Sequence, residues 1–210
     1  MSGQLVLASG SRARVELLSR LELAFVSDSP AEFDERALDH RFAELVRSSG
    51  SRGPQEFALL LARGKAKTVA ARRPNDWILA ADQIAVLDPR LGEPPTLLHK
   101  PGSEDRAVAQ LMRLRGRTHT LIEAVVLARG GARELQQTHA IAEQRLTMRE
   151  FDEAEARAYV ARHQPLHSVG SYHIEDAGIR LFDAIEGDYT GIMGLPLIPV
   201  CRLLRGVGLL

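Results

Sequence analysis

"VLASGSRARVELL", residues 6 to 18, is a strand-like run broken by three small residues and followed at once by a helical pattern. Ser9, Gly10 and Ser11 make a corner where backbone can come close to a ligand. The helix beyond it turns its free N–H groups and the positive end of its dipole toward that corner. A bare helix N-terminus favours Asp or Glu in its first turn, yet Arg12 and Arg14 stand there. An anion at the corner, most simply a phosphate, accounts for the arginines. A serine N-cap with both arginines directed to water accounts for them too. Both readings stay open on these residues, and either way the chain opens as strand, loop, helix.

Outward from this start, strands and helices alternate and then give way to hairpins. "AFVSDS" reads as a second strand, and "SPAEFDERALDH" as an acidic loop or short helix. "GPQEFALLLARGKAKTVAAR" reads as a helix opened by Pro54, with Phe57, Leu60, Leu61 and Thr68 in register. "DWILAADQIAVLD" is a strand, and the proline-rich "PRLGEPPTLLHKPG" a loop or hairpin tip. A helix from near Ser103 closes at Gly116, the strand "HTLIEAVVLAR" follows, and "GGAR" turns into the strand "THAIAEQRLTMR". Asp152 and Glu155 make a capping box for the next helix. The tail is expected to hold a turn, two short strands, a glycine-rich loop and a last helix introduced by Pro196. This order predicts an α/β fold with a mixed central sheet, and residues 1–210 as a single domain.

Composition narrows the function classes. Lys+Arg and Asp+Glu both number 27, so the chain lacks the basic excess of a general nucleic-acid binder. Aromatics are only 5%, too few for a base-stacking platform. One cysteine, Cys201, leaves no intrachain disulfide and no cysteine zinc site. No signal peptide pattern opens the chain and no apolar run approaches the roughly 20 residues of a membrane span. The expectation is a cytoplasmic protein with no membrane or nucleic-acid partner.

Chemistry-bearing residues stand out against this background. Asp82 lies inside the apolar strand "ILAADQIAVL". A carboxylate there has to be paired, hydrogen-bonded or metal-bound. "EFDE", residues 32 to 35, is a source of further carboxylates or simply a solvated loop. Carboxylates facing a phosphate chain call for a hard divalent cation between them. Lys65, Lys100 and Arg14 could clamp a triphosphate, or be surface cations with snorkelling stems. "RGKAKT" fails as a P-loop, because Leu59 stands at the earlier glycine position and Ala66 follows Lys65.

Taken in order, "LASGSRARVELL", "LARGKA", "ADQIAVLD" with "HKP", and "VGSYHIEDAGIRLFDAIEGDYTGIMGLPL" resemble the motifs of the Maf-type nucleoside triphosphate pyrophosphatases. The resemblance runs through nearly the whole chain. It implies the Maf/ITPase-like arrangement, a mixed sheet flanked by helices in two lobes with an active-site cleft between them, in a homodimer. It implies hydrolysis of a nucleoside triphosphate between the α and β phosphates, with Mg²⁺ or Mn²⁺.

By the same resemblance, Asp82 is the proton acceptor, with Glu35 and Lys100 beside it as catalytic groups. Glu35 and Asp82 would hold the metal, and Ser9, Arg14, Lys65 and Lys100 the phosphates, with Ser11 of the opening corner a further candidate phosphate contact. Ala13, Gln83 and Glu175 match the specificity positions. Gln83 and Glu175 are similar to the branch that prefers 7-methyl-GTP, whereas the dTTP and UTP branch carries Thr and Gln there. Arg12 replaces a usual proline, and Ala13 a usual aromatic. A nucleotide-binding regulator of cell division with little turnover is the other class the resemblance allows.

Overall fold

The computed structural model describes residues 3–90, 93–130 and 136–210. Its elements run β1 (Leu5–Leu7), α1 (Arg12–Ser19), β2 (Phe25–Ser27), α2 (Asp39–Ser49), α3 (Gly53–Arg72), β3 (Trp77–Leu87) and β4 (Thr96–Leu98). They continue α4 (Glu104–Leu114), β5 (Thr118–Arg129), β6 (Gln136–Met148), α5 (Glu153–His163), β7 (Phe182–Glu186), α6 (Tyr189–Ile192) and α7 (Leu197–Gly206). The strands pair in the order β2-β1-β3-β5-β6-β7, with β4 also on β3. β1 pairs parallel with β2 and β3, while β3–β4 and β6–β7 are antiparallel, so the sheet is mixed as the alternation predicted.

The chain divides into two compact units. One comprises the chain up to Gln83, residues 123–142 and residues 188–210. Its core joins Leu5 and Leu7 of β1, Leu17 and Leu18 of α1, Leu79 of β3, Val125 and Leu127 of β5, and Val200, Leu203 and Leu204 of α7. Each large aliphatic side chain so buried contributes about 1.5–3 kcal/mol. β1 is buried throughout within the parallel part of the sheet, and it reads as a continuous apolar run, as strands covered on both faces do.

The other unit comprises residues 84–122 and 143–187. Here α4 packs on α5, and His119, Tyr172 and Phe182 form a buried to half-buried aromatic group. Gly116 follows α4 at φ 62°, a conformation that favours glycine, and a Cβ there would meet the Glu150 carboxylate at 2.0 Å.

Four local expectations need correction or completion. The segment after the "EFDE" loop contains an eleven-residue helix, α2; it was illegible because Phe42 is its one buried residue. The tail holds one strand among the described residues, β7, where two were expected; a 3₁₀ turn at Ala177–Leu181 takes the place of the other. The capping box is half made. Asp152 Oδ1 accepts from the Glu155 N–H at 2.8 Å, but the Glu155 carboxylate pairs with Arg149. The "GGAR" turn falls largely on 131–135, outside the described residues.

Candidate active site

The corner that opens the chain splits the two readings between its two arginines. Ser9 is buried, and its Oγ accepts from the Ser11 N–H at 3.1 Å, closing the turn on itself. Ser11 is the N-cap of α1 and its Oγ accepts from the Arg14 N–H. Arg12 faces water and pairs with Glu16 one turn on. Arg14 is different: its Nε donates to the Gly194 carbonyl at 2.8 Å. Among the described residues the two terminal nitrogens of that guanidinium make no hydrogen bond, so the fork is fixed in place with donors to offer. Ala13, between the two, is half-buried.

Asp82 is buried in β3, as its apolar neighbours required. It is satisfied by Lys65, whose ammonium donates to Asp82 Oδ1 and lies 2.6 Å from Glu35 Oε1. Lys65 is itself buried, on the side of α3 that also buries Leu61, Ala62 and Val69. Glu35 is half-exposed, at the entrance to the 3₁₀ turn Arg36–Leu38. Gly64 helps place it: a Cβ at Gly64 would strike the Phe33 ring at 2.2 Å. The glycine of "RGKAKT" therefore seats an aromatic ring two residues before Glu35, not a phosphate.

Burial raises the Asp82 carboxyl above the ordinary carboxylate range; the Lys65 charge opposes this, and the neighbouring Glu35 charge adds to it. The Arg14 charge also lowers it, so Arg14 belongs to the same electrostatic neighbourhood. A carboxyl raised this way is a stronger base than an ordinary carboxylate, as a proton acceptor needs to be. The donor set also fits a hard cation. Two carboxylates already share one positive charge, and Mg²⁺ is commonly held by one or two carboxylates plus substrate phosphates. Among the described residues no group of three or more His, Cys, Asp or Glu is gathered, so a full protein cage is not what these residues offer.

The specificity candidates fall in different places. Gln83, beside Asp82, is half-buried, and its Nε2 donates to Glu123 Oε1 at 2.5 Å and to the carbonyls of Gly191 at 3.0 Å and Ile192 at 3.1 Å. Glu175 is exposed and belongs to the second unit. Its segment is anchored there: the Tyr159 hydroxyl accepts from the His173 N–H at 2.9 Å, and Tyr172 bonds to His119 at 2.8 Å. Lys100, two residues beyond β4, is exposed in that unit too. Sequence reasoning passed over Glu123, which is fully buried in β5. Its signal was the one that marked Asp82, a carboxylate inside an apolar strand run, "LIEAVV".

No helix among the described residues is long and apolar enough to cross a membrane. The family model described as "Maf-like protein" matches residues 4–207. A protein of Nitrobacter hamburgensis named nucleoside triphosphate pyrophosphatase is 40% identical over 208 residues, 98% of this chain and 95% of its own length. A dTTP/UTP pyrophosphatase of Thermomicrobium roseum is 40% identical over 204 residues, 97% of this chain and 84% of its own. A 7-methyl-GTP pyrophosphatase of Mesorhizobium japonicum is 40% identical over 214 residues, 99% of this chain and 98% of its own. With the family model spanning the described strands and helices from end to end, the chain belongs to the Maf family.

Proposed function

We propose that this protein hydrolyses nucleoside triphosphates at the α–β phosphate bond, releasing a nucleoside monophosphate and pyrophosphate. The observation that carries the chemistry is the buried Asp82 carboxylate, raised by burial and held by Lys65 beside Glu35. In this reading Asp82 takes a proton from a water as the water oxygen bonds to phosphorus, and the bridging P–O bond breaks with pyrophosphate leaving. The ionised carboxylate is the form that accepts this proton. Lys65 keeps Asp82 aligned, and its charge favours the ionised form. Arg14, fixed by the Gly194 carbonyl, presents its free nitrogens to the phosphates together with Ser9, Ser11 and the N–H groups that open α1. Lys100 adds a further phosphate contact.

Asp82 and Glu35 are the residues that would hold a divalent cation, Mg²⁺ or Mn²⁺. Bound there, the cation supplies charge to offset the phosphates and polarises a phosphoryl oxygen. The base is proposed to be a purine, with 7-methyl-GTP the first substrate to try. Glu175 can accept from two adjacent donors of a guanine edge and offsets the charge of a methylated ring. The same reading places the enzyme in the cytoplasm, where its nucleotides are, as a homodimer.

The test is a panel of nucleoside triphosphates, with 7-methyl-GTP, dTTP and UTP among them, incubated with the full chain and Mg²⁺ or Mn²⁺. Equal release of monophosphate and pyrophosphate is expected. Release of orthophosphate and a diphosphate instead, or no product from any nucleotide, overturns the proposal.

A further inference from the structure

We infer that Glu123 is a positioning residue that sets base selectivity by holding the Gln83 amide in one orientation. The inference rests on the reading above in that Gln83 meets the base. Three oxygens surround a single nitrogen: Glu123 Oε1 and the carbonyls of Gly191 and Ile192 all accept from Gln83 Nε2. An NH₂ group has two hydrogens, so one carries a shared bond and neither is left over. Turning the amide over would set its carbonyl oxygen against those three acceptors. Gln83 is thereby reduced to its carbonyl, an acceptor, as the group it can show a nucleotide. Such a group suits a base edge rich in N–H donors, as in guanine.

Glu123 is the member of this trio that selection can change, since the other two are backbone. It lies fully buried in β5, inside "LIEAVV", where a leucine would fill the space without burying a carboxylate. A carboxylate acceptor also binds an N–H more strongly than a carbonyl does. Gly191 and Ile192 form the last part of α6, two residues before Gly194, whose carbonyl takes Arg14 Nε.

With Glu123 gone, the adjacent carbonyls of Gly191 and Ile192 can share one Gln83 N–H, which leaves the other N–H to serve bases that present acceptors, such as uracil. Glu123→Gln keeps an acceptor through its own carbonyl. The experiment compares wild type, Glu123→Gln, Glu123→Leu, Gln83→Thr and the Glu123→Leu/Gln83→Thr double variant. Readouts are kcat/KM for 7-methyl-GTP over UTP, Kd values for α,β-methylene GTP and UTP by calorimetry, and thermal midpoints. Glu123→Leu is expected to lower the purine preference about tenfold or more, Glu123→Gln to retain most of it, and Glu123→Leu to add nothing once Gln83 is threonine. A purely structural Glu123 would lower all nucleotides alike, and that result overturns the inference. So does a wild type that binds both analogues equally. Selective analogue binding that Glu123→Leu abolishes, in a protein that releases no pyrophosphate, sinks the hydrolase reading and leaves this one standing.

Discussion

Lys65 and Asp82, seventeen residues apart, meet as a buried ion pair, and the Lys65 ammonium also reaches Glu35 at 2.6 Å. A lysine so engaged is first a partner of carboxylates. Its role toward a phosphate chain starts from that arrangement.

Asp82→Asn is expected to fold and to lose most turnover, because an amide cannot take the water's proton and brings no charge to a cation. In wild type, kcat/KM should fall as pH drops through the raised Asp82 value, since only the ionised form accepts a proton. The acid limb should therefore lie above the ordinary Asp range of about 3.9. A variant with near wild-type kcat would show that Asp82 is structural.

Lys65→Met should destabilise the fold by about 3–5 kcal/mol, the usual cost of stranding one partner of a buried pair. Urea unfolding of the variant measures it. Adding Asp82→Leu should restore much of the loss without restoring activity. If Lys65→Met unfolds at the wild-type midpoint, the buried pair carries no such coupling.

Arg14→Ala and Lys100→Ala should each lower kcat/KM for every nucleotide by a similar factor, because phosphates carry no base information. Loss of one contact made in the transition state costs on the order of 10²–10³ in kcat. A loss confined to one base moves that residue to the base pocket. Thermal midpoints should barely change for Lys100→Ala, since that residue is exposed.

Glu175→Gln should hurt 7-methyl-GTP more than UTP. The amide turns an NH₂ toward a guanine donor and leaves polar groups unpaired, at about 1–3 kcal/mol each. The ratio of kcat/KM for the two nucleotides should fall about tenfold or more. An unchanged ratio removes Glu175 from base recognition.

His119 predicts an acid-sensitive fold. Burial lowers its pKa from 6.5 to about 4, and its Nε2 bonds the Tyr172 hydroxyl. A depressed basic group stabilises the fold fully above 6.5. As pH falls from 6.5 toward 4 the unfolded chain takes the proton and the folded one does not, so stability is lost across that window. The loss approaches about 3 kcal/mol. Unfolding free energies at pH 7.5, 5.5 and 4.5 should fall more steeply for wild type than for His119→Gln; parallel curves would falsify the assignment.

What the residues determined on their own was whatever local pattern carries. The strand–corner–helix start, the helix opened by Pro54, the long strand around Asp82 and the alternation that makes a mixed sheet all rest on periodicity and turn chemistry within a few residues. Asp82 announced itself because an acid inside an apolar strand must be paired. Its partners were left to the tertiary structure. Lys65 shares the buried side of α3 with Leu61, Ala62 and Val69, and a lysine breaks the apolar pattern that would mark that side as inward. Arg14 and Gly194 are 180 residues apart, and Gln83 and Glu123 forty, separations at which sequence holds no record of contact. Those contacts exist because β1, β3 and β5 lie side by side in one sheet and the chain returns to it after Asp188. The chemistry was legible as residue types, and the folded sheet decided which of them face one another.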